Sequence, residues 1–560
     1  MTQDARYTAQ QRLQAERGTI VKNAGQVRFR FALAYPNTYF VGMSNLGLQT
    51  MYRRINQRAD TVCERVFLPD PAEQTWHANN HSPLVSLESQ RPVADFHFLG
   101  FSVSYENDYL HLLQMLEHAR IPLRAVDRAD HHPIVLVGGA VTYINPEPLA
   151  DFVDAIIIGD GEETIHAYLD MATETVEGPR SEHLRRAAQL PGVYVPSVHT
   201  RASDATPMVP RKITDLNQWP AYSAVLTPET EFRDTLLVEV TRGCPWKCRF
   251  CTVGYVYPKF RQLPAETVLG IVEAQQHRDR QAGRTPVEKV GLISSATGDY
   301  RYIAAVVQGL LNLDVAIGIS SLRMDRMPEV LIESMVRSGV HSCTVAPEAG
   351  SERLREVIRK DMTEAEILAG VEMLLAHGMR NLKLYSMIGL PTETDADLQE
   401  LIALTFTIWE RMKHYGRARG ALGTLTLSVN PFIPKPATPL QWCAMAPRRV
   451  IEAKLHTLRQ AVRKESHIRL KHESLKSAYL EALLARGDRR MGEFLLAIHQ
   501  HQGDWRRAAK QLAYDVEALV GTPLDEERPL AWDFLANERQ HQRLQREHRR
   551  ALGVVSSLPS

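Results

Sequence analysis

Cysteine is scarce in this chain: six in 560 residues, too few and too scattered for a disulfide-stapled scaffold. Charge of one sign is missing too. Lys and Arg number 66 and Asp and Glu 65, so the formal net charge is +1 and no global field draws the chain onto nucleic acid or anionic lipid. No apolar run approaches the length that crosses a bilayer. The opening stretch MTQDARYTAQQRLQAERG has no apolar core of the secretory kind. With 44% hydrophobic and 23% charged residues, the composition is that of a soluble globular protein, expected in the cytoplasm and long enough for about three domains.

Half of the cysteines fall in one short run, TRGCPWKCRFC, as Cys244, Cys248 and Cys251 directly after an apolar strand. Cys63, Cys343 and Cys443 are isolated and read as buried free thiols. A structural zinc site usually takes four ligands, often as two C-x2-C pairs or one pair with two histidines, and no fourth ligand lies near at such spacing. Three thiolates at C-x3-C-x2-C spacing can hold three irons of a cubane and leave the fourth open to a ligand, which fits a site-differentiated [4Fe-4S] cluster.

The chain around this run alternates strands and helices. FRFALAYP, FHFLGFSVSY, PIVLVGG and AIIIGDGEE are strand-to-turn units separated by helical stretches such as NDYLHLLQMLEHA. Continuous apolar strands between amphipathic helices indicate a doubly wound, Rossmann-like parallel sheet over residues 1–195. Residues 196–231 carry several prolines and read as a linker. From TLLVEV onward the alternation resumes through VEKVGLIS, VAIGISS, SCTVAPEAG, LKLYSMIGLP and TLTLSVN. Six strands separated by helices fit a parallel (β/α)6 partial TIM barrel over 232–445, with its active residues at the C-terminal strand ends. Residues 446–560 read as mainly helical, with one alternating strand around HIRLKHES, and the excess of basic residues between Arg448 and Lys476 reads as a solvated face.

CPWKCRFC after a strand resembles the signature of radical S-adenosylmethionine (SAM) enzymes. The resemblance implies that the SAM amino and carboxylate groups chelate the open iron, and that one electron cleaves SAM to methionine and a 5′-deoxyadenosyl radical. An external one-electron donor such as flavodoxin or ferredoxin is implied with it. Phe250 would pack near the adenine. The loop after the second barrel strand, SSATGDY, lacks the Gly-Gly-Glu that many members use for the SAM amino group, and Ser295 is its candidate. SSLRMD supplies Ser321 and Arg323. APEAGSERLREVIRK resembles a segment of the tRNA methylthiotransferases and the Elongator catalytic subunit, in which Glu348 would hold SAM polar groups. Arg323 or Arg359 would pair its carboxylate through the guanidinium fork. MIGLPTET, with Gly389, resembles the segment that lies against the adenine.

A doubly wound unit ahead of such a barrel resembles cobalamin-dependent radical SAM enzymes. LVGGAVTYINPEPLADFVDAIIIGDGEETI resembles the end of their cobalamin domain, so Gly138, Gly139, Ser102 and Ser104 become cofactor-binding candidates. Tyr39, Val41 and Met43 are candidates to face the corrin. YPNTYFVGMSNLG holds no histidine, so the cobalt would lack a histidine ligand. GDGEE reads as a capped turn with Glu162 and Glu163 at a helix start. The implied reaction is C-methylation of an unactivated carbon. The alternatives are radical rearrangement, cyclisation or methylthiolation, and a cluster-bearing nucleic-acid-binding protein. No membrane span is expected.

Overall fold

The computed structural model describes residues 5–199, 208–319 and 322–553. Its first sheet is built from β1 (Phe29–Tyr35), β2 (Thr61–Phe67), β3 (Phe98–Ser102), β4 (Ile134–Gly138), β5 (Ala155–Ile157) and β6 (Val193–Tyr194). The order is β2-β1-β3-β4-β5-β6, parallel through β5 and antiparallel at β6. The strand order reverses between β1 and β3. In such sheets, ligands bind at the carboxyl ends of the strands beside that point.

Successive side chains of β1 serve two cores. Phe29, Phe31 and Leu33 pack with Leu48, Ile55 and Ile165 of the helices Leu46–Asn56 and Gly161–Thr175. Ala32 and Ala34 join the opposite core, which contains Leu112 and Leu116 but also Leu483, Phe494 and Trp532. The helices at 475–500 therefore close the second face of the first sheet instead of standing apart. Asn145 locks them there by donating to the carbonyls of Ala485 and Gly487 at 2.9 and 2.7 Å. Each fully buried Phe or Leu of these faces contributes about 1.5–3 kcal/mol.

The second unit carries β7 (Leu236–Glu239), β8 (Lys289–Ile293) and β9 (Ala316–Ile319), ordered β9-β8-β7 and parallel. A further parallel sheet holds β10 (Ser342–Glu348), β11 (Asn381–Ile388), β12 (Leu425–Pro431) and β13 (Ile468–Lys471). A parallel bridge from Leu322 to Val345 links the two sheets into one partial barrel wall. The barrel is thus a strand longer than the six expected, because HIRLKHES supplies β13 and carries the sheet past residue 445. Outward residues such as Val238, Leu292, Ile317, Val345, Leu384 and Leu427 bury into one core with the surrounding helices.

The described part of the 196–231 stretch stitches the two units together. Gly159 bridges Arg211, and Tyr222 bridges Val238. No helix is long and apolar enough to cross a membrane among the described residues.

Candidate functional site

The cysteine loop leaves β7 through Arg242 and turns at Gly243, whose φ of +91° and close approach to the Lys259 carbonyl suit only glycine. Inside the loop the Cys251 N–H donates to the Cys248 carbonyl at 3.1 Å. The Lys247 ammonium donates to the Gly254 carbonyl at 2.5 Å. Burial pushes all three thiols up, and each feels at least one of the others. Three soft, half-buried sulfurs carried on one loop are a donor set that fits three irons of a cluster.

Four anchors hold the loop. Ser295 donates its hydroxyl to the Gly243 carbonyl. Trp246 donates its indole N–H to Asp299 at 2.7 Å, while the Arg323 guanidinium stacks on its ring at 3.7 Å. Arg249 donates to the carbonyls of Glu356 and Val357 at 2.9 and 2.8 Å and pairs with Glu547 at 3.1 Å. Glu547 belongs to the helix Glu538–Ala551, so this late helix covers the loop.

The structure sorts the candidates suggested by sequence. Glu348 lies at the end of β10 with φ +68°, where the register with β11 shifts, and accepts from Lys360 at 3.1 Å. Burial lifts its carboxyl above the ordinary range, with Lys360 and Arg323 partly offsetting it. Lys360 and Arg323 also act on Cys248, so Glu348 and both cations share the neighbourhood of the loop. Lys360 was missed by the sequence reading. Its only signal is its place at the end of the quoted APEAGSERLREVIRK segment.

Phe250 joins an apolar patch with Ala349, Leu390 and Phe432. Three of the candidates already hold partners within the chain. The Ser295 hydroxyl is engaged by Gly243. Arg323 is occupied by Trp246, by Asp325 at 2.8 Å and by the Lys360 carbonyl at 2.6 Å. Arg359 pairs with Glu547 at 3.2 Å. Gly389, at φ +76°, is glycine because a Cβ there would meet Ile451 and Ala446 at 2.6 and 2.9 Å. Ser321 lies outside the described residues.

In the first domain, a cavity of about 470 Å³ lies against one face of the sheet. Phe31, Leu33, Leu136 and Ile157 give it an apolar floor, with Asn45, Ser102 and Ser104 among its polar lining. Asn45 donates to Ser104 at 3.2 Å. Glu239, Arg242, Tyr257 and Ile293 of the barrel unit complete the lining. The glycine pair divides its work. A Cβ on Gly138 would meet only Ile157, at 3.9 Å, whereas one on Gly139 would strike the Val103 carbonyl at 2.4 Å. Gly138 therefore leaves room, while Gly139 packs backbone on backbone. Thr50 also lines the cavity, and its hydroxyl is buried without a hydrogen-bond partner among the described residues. Tyr39 and Met43 turn inward: Tyr39 is buried and donates to Glu16 at 2.7 Å, and Met43 is buried beside it, leaving Val41 exposed.

GDGEE is more than a capped turn. Asp160 is buried and takes Arg242 at 3.1 Å, Arg261 at 3.2 Å and the Ile213 N–H at 2.7 Å. Burial opposes its ionisation, yet Arg242 and the Ile213 N–H outweigh it and hold the carboxyl low. Glu162 pairs with Arg242 at 2.7 Å, and Glu163 stays at the surface.

A partial parallel barrel with three cysteines on the loop after its first strand defines a cluster-binding barrel enzyme. Residues 238–405 match the family model of the Radical SAM superfamily, and residues 47–196 match that of radical SAM proteins, N-terminal. The chain belongs to the radical SAM superfamily and is a radical SAM enzyme, which implies a [4Fe-4S] cluster and SAM. It is 28% identical to an uncharacterized protein of Methanocaldococcus jannaschii over 83% of this chain and 90% of that one. The structure of the radical SAM methyltransferase TsrM from Kitasatospora setae, with cobalamin and a [4Fe-4S] cluster bound, is similar at TM-score 0.52. Its identity to the chain is 12%, covering 87% of this chain and 98% of that one. The cobalamin-dependent radical SAM enzyme OxsB, with aqua-cobalamin and SAM bound, is similar at TM-score 0.50 and 13% identity, covering 92% of this chain and 70% of that one. At these identities the two likenesses are likenesses of fold.

Proposed function

We propose that this radical SAM enzyme is a cobalamin-dependent methyltransferase acting on an unactivated carbon. The observation that carries this reading is the first-domain cavity, which reaches the barrel at Glu239 and Ile293. Bound there and on the cysteine loop, cobalamin, SAM and the cluster supply methyl and radical chemistry that side chains cannot, including one-electron cleavage of SAM and methyl transfer to carbon.

The chain's own residues bind and orient. Cys244, Cys248 and Cys251 would hold the cluster, with Lys360 and Arg323 setting positive charge beside Cys248. Glu348 offers a carboxylate to the SAM ammonium, and Phe250 with Leu390 an apolar surface to the adenine. Gly138 leaves room in the cavity for a cobalamin tail, and the unpartnered Thr50 hydroxyl and the Ser102 and Ser104 hydroxyls would be its polar contacts. The electron comes from an external donor of the flavodoxin or ferredoxin type.

Anaerobically reconstituted protein, given cobalamin and a strong reductant, is expected to form 5′-deoxyadenosine and S-adenosylhomocysteine. Forming neither sinks the proposal. Corrin absorbance should co-elute with the wild type and fall at least about tenfold in Gly138→Phe, which fills the cavity. A wild type that retains no corrin removes cobalamin from the reading even where 5′-deoxyadenosine forms.

A further inference from the structure

The barrel wall has an inner face that the cluster chemistry does not explain. Outward residues of β11 and β12 are apolar and buried: Leu382, Leu384 and Ile388, and Leu425, Leu427 and Val429. Because strand side chains alternate, the inward set is Lys383, Tyr385 and Met387 on β11, and Thr426, Ser428 and Asn430 on β12. On β13, Ile468 packs outward into the core, so Arg469 and Lys471 turn inward.

Strand register then stacks these residues in rows. Lys383 lies opposite Thr426, and Thr426 opposite Arg469. One row nearer the strand ends, Tyr385 lies opposite Ser428, and Ser428 opposite Lys471. With strands about 4.8 Å apart, Lys383 and Arg469 are about 10 Å apart across the row. Arg469 and Lys471 are about 7 Å apart along the strand.

The three cations form no ion pair among the described residues. Among the described residues, the Lys383 ammonium has one polar partner, Tyr385, donating to its hydroxyl at 3.1 Å and lying 4.6 Å over its ring. Glu473, the next carboxylate along the chain, acts on Tyr105 and Glu481 of a separate cluster that includes Lys435. Charges on an edge strand such as β13 commonly guard against strand addition. Lys383, however, stands two strands inside that edge, in the same row and on the same face as Arg469.

Further round the wall, the row Leu237–Gly291–Gly318 carries two glycines. They border a cavity of about 710 Å³ that reaches Ile293, the residue it shares with the first-domain cavity. Its carboxylates, Glu231, Asp234 and Glu288, lie at the entering ends of the strands, and Asp234 is paired with Arg17 at 3.3 Å. Space of this size suits a small molecule, and Lys383, Arg469 and Lys471 stand outside its lining, on the other arc of the wall.

We propose that the barrel takes a small anionic substrate, its carboxylate or phosphate groups held by Lys383, Arg469 and Lys471 with the Tyr385 and Ser428 hydroxyls as further donors. This rests on the reading of the barrel as the reaction chamber of a radical SAM enzyme. The fixed fork of Arg469 suits bidentate capture of a carboxylate or phosphate, and the two ammonium groups act as point charges.

The test uses the full chain without its cluster, so that it does not depend on radical chemistry. Citrate and pyrophosphate are titrated by calorimetry at physiological salt, one arm for each source of negative charge. At least one is expected to bind with Kd below about 1 mM, and the stronger arm names the anion. Lys383→Gln/Arg469→Gln/Lys471→Gln is expected to weaken that binding at least about thirtyfold. Lys383→Arg should keep it, and the charge-matched control Arg506→Gln/Arg507→Gln/Lys510→Gln should leave it unchanged. Circular dichroism verifies folding, and if the triple variant is unfolded, Arg469→Gln alone is read, with a loss of at least about fivefold expected. Binding of neither probe, or equal binding by the test and control variants, overturns the proposal. So does tight binding of a single-stranded RNA oligonucleotide with neither small anion bound. If binding fails while the loaded enzyme forms 5′-deoxyadenosine, only this inference falls. If binding holds and no 5′-deoxyadenosine forms, the functional reading falls and the anion site stands.

Discussion

The carboxylate of Asp160, at the head of a first-domain helix, meets the guanidinium of Arg242 at 3.1 Å, two residues ahead of Cys244. Through this contact the domain that carries the 470 Å³ cavity holds the root of the cysteine loop. Tyr143 and Tyr257 both donate to the same carboxylate, at 3.1 and 3.2 Å.

Asp160→Asn leaves Arg242 and Arg261 facing a neutral amide in a buried site. Breaking a buried ion pair on one side costs about 3–5 kcal/mol, and the remaining Glu162 and Glu239 partners of Arg242 place the expected loss at about 3 kcal/mol. Urea denaturation measures it, and a loss below about 0.5 kcal/mol would show that the contact does not hold the domains together.

Cys248→Ala is expected to abolish iron binding and the charge-transfer absorption of the reconstituted protein. Cys343→Ala should retain both, because Cys343 is buried in the barrel core away from the loop. Iron analysis of the two variants separates the cases. Equal loss in both would mean that the cysteine loop does not define the metal site.

Lys360→Met removes the cation that faces Glu348 at 3.1 Å. The stranded carboxylate is expected to cost about 3 kcal/mol, and Glu348→Gln in the same chain should restore most of it. Denaturation of the single and double variants gives the coupling directly. Additive losses would show that the pair does not act as a unit.

His183 supplies an acid-sensitive element of the first domain. Burial, with a smaller contribution from Arg180, pushes its pKa from 6.5 down to about 4. Its ring lies 2.7 Å from the Tyr168 hydroxyl and 2.8 Å from that of Thr175. The unfolded chain binds this proton below 6.5 and the folded one only below about 4. Stability is therefore full at neutral pH and falls through that window by about 1.4 kcal/mol per pH unit. Melting temperature against pH should show this slope in the wild type and a flatter one in His183→Gln. Identical slopes would assign the acid sensitivity elsewhere.

The parts of the site legible in sequence were those whose logic is local. The cysteine spacing, the strands and the helices all show within about ten residues. GDGEE read as a capped turn with Glu162 and Glu163 at a helix start because Arg242 stands 80 residues beyond Glu162, and Arg261 stands 101 beyond Asp160. The mainly helical reading of 446–560 could not name the partner of its apolar residues between 475 and 500, which proved to be the far face of the first sheet. The alternation of HIRLKHES announced a strand, and only pairing with β12 made it part of the barrel. Lys360 gained its place from the left-handed turn at Arg359 and the register shift before Glu348, neither of which composition reveals.

Arg249 and Glu547 are separated by 298 positions. On the ribosome, the cysteine loop emerges long before the helix that covers it has been made. The Arg249 guanidinium therefore gains its Glu547 partner only once Glu538–Ala551 has been added, so one anchor of the loop is among the last parts of the chain to form.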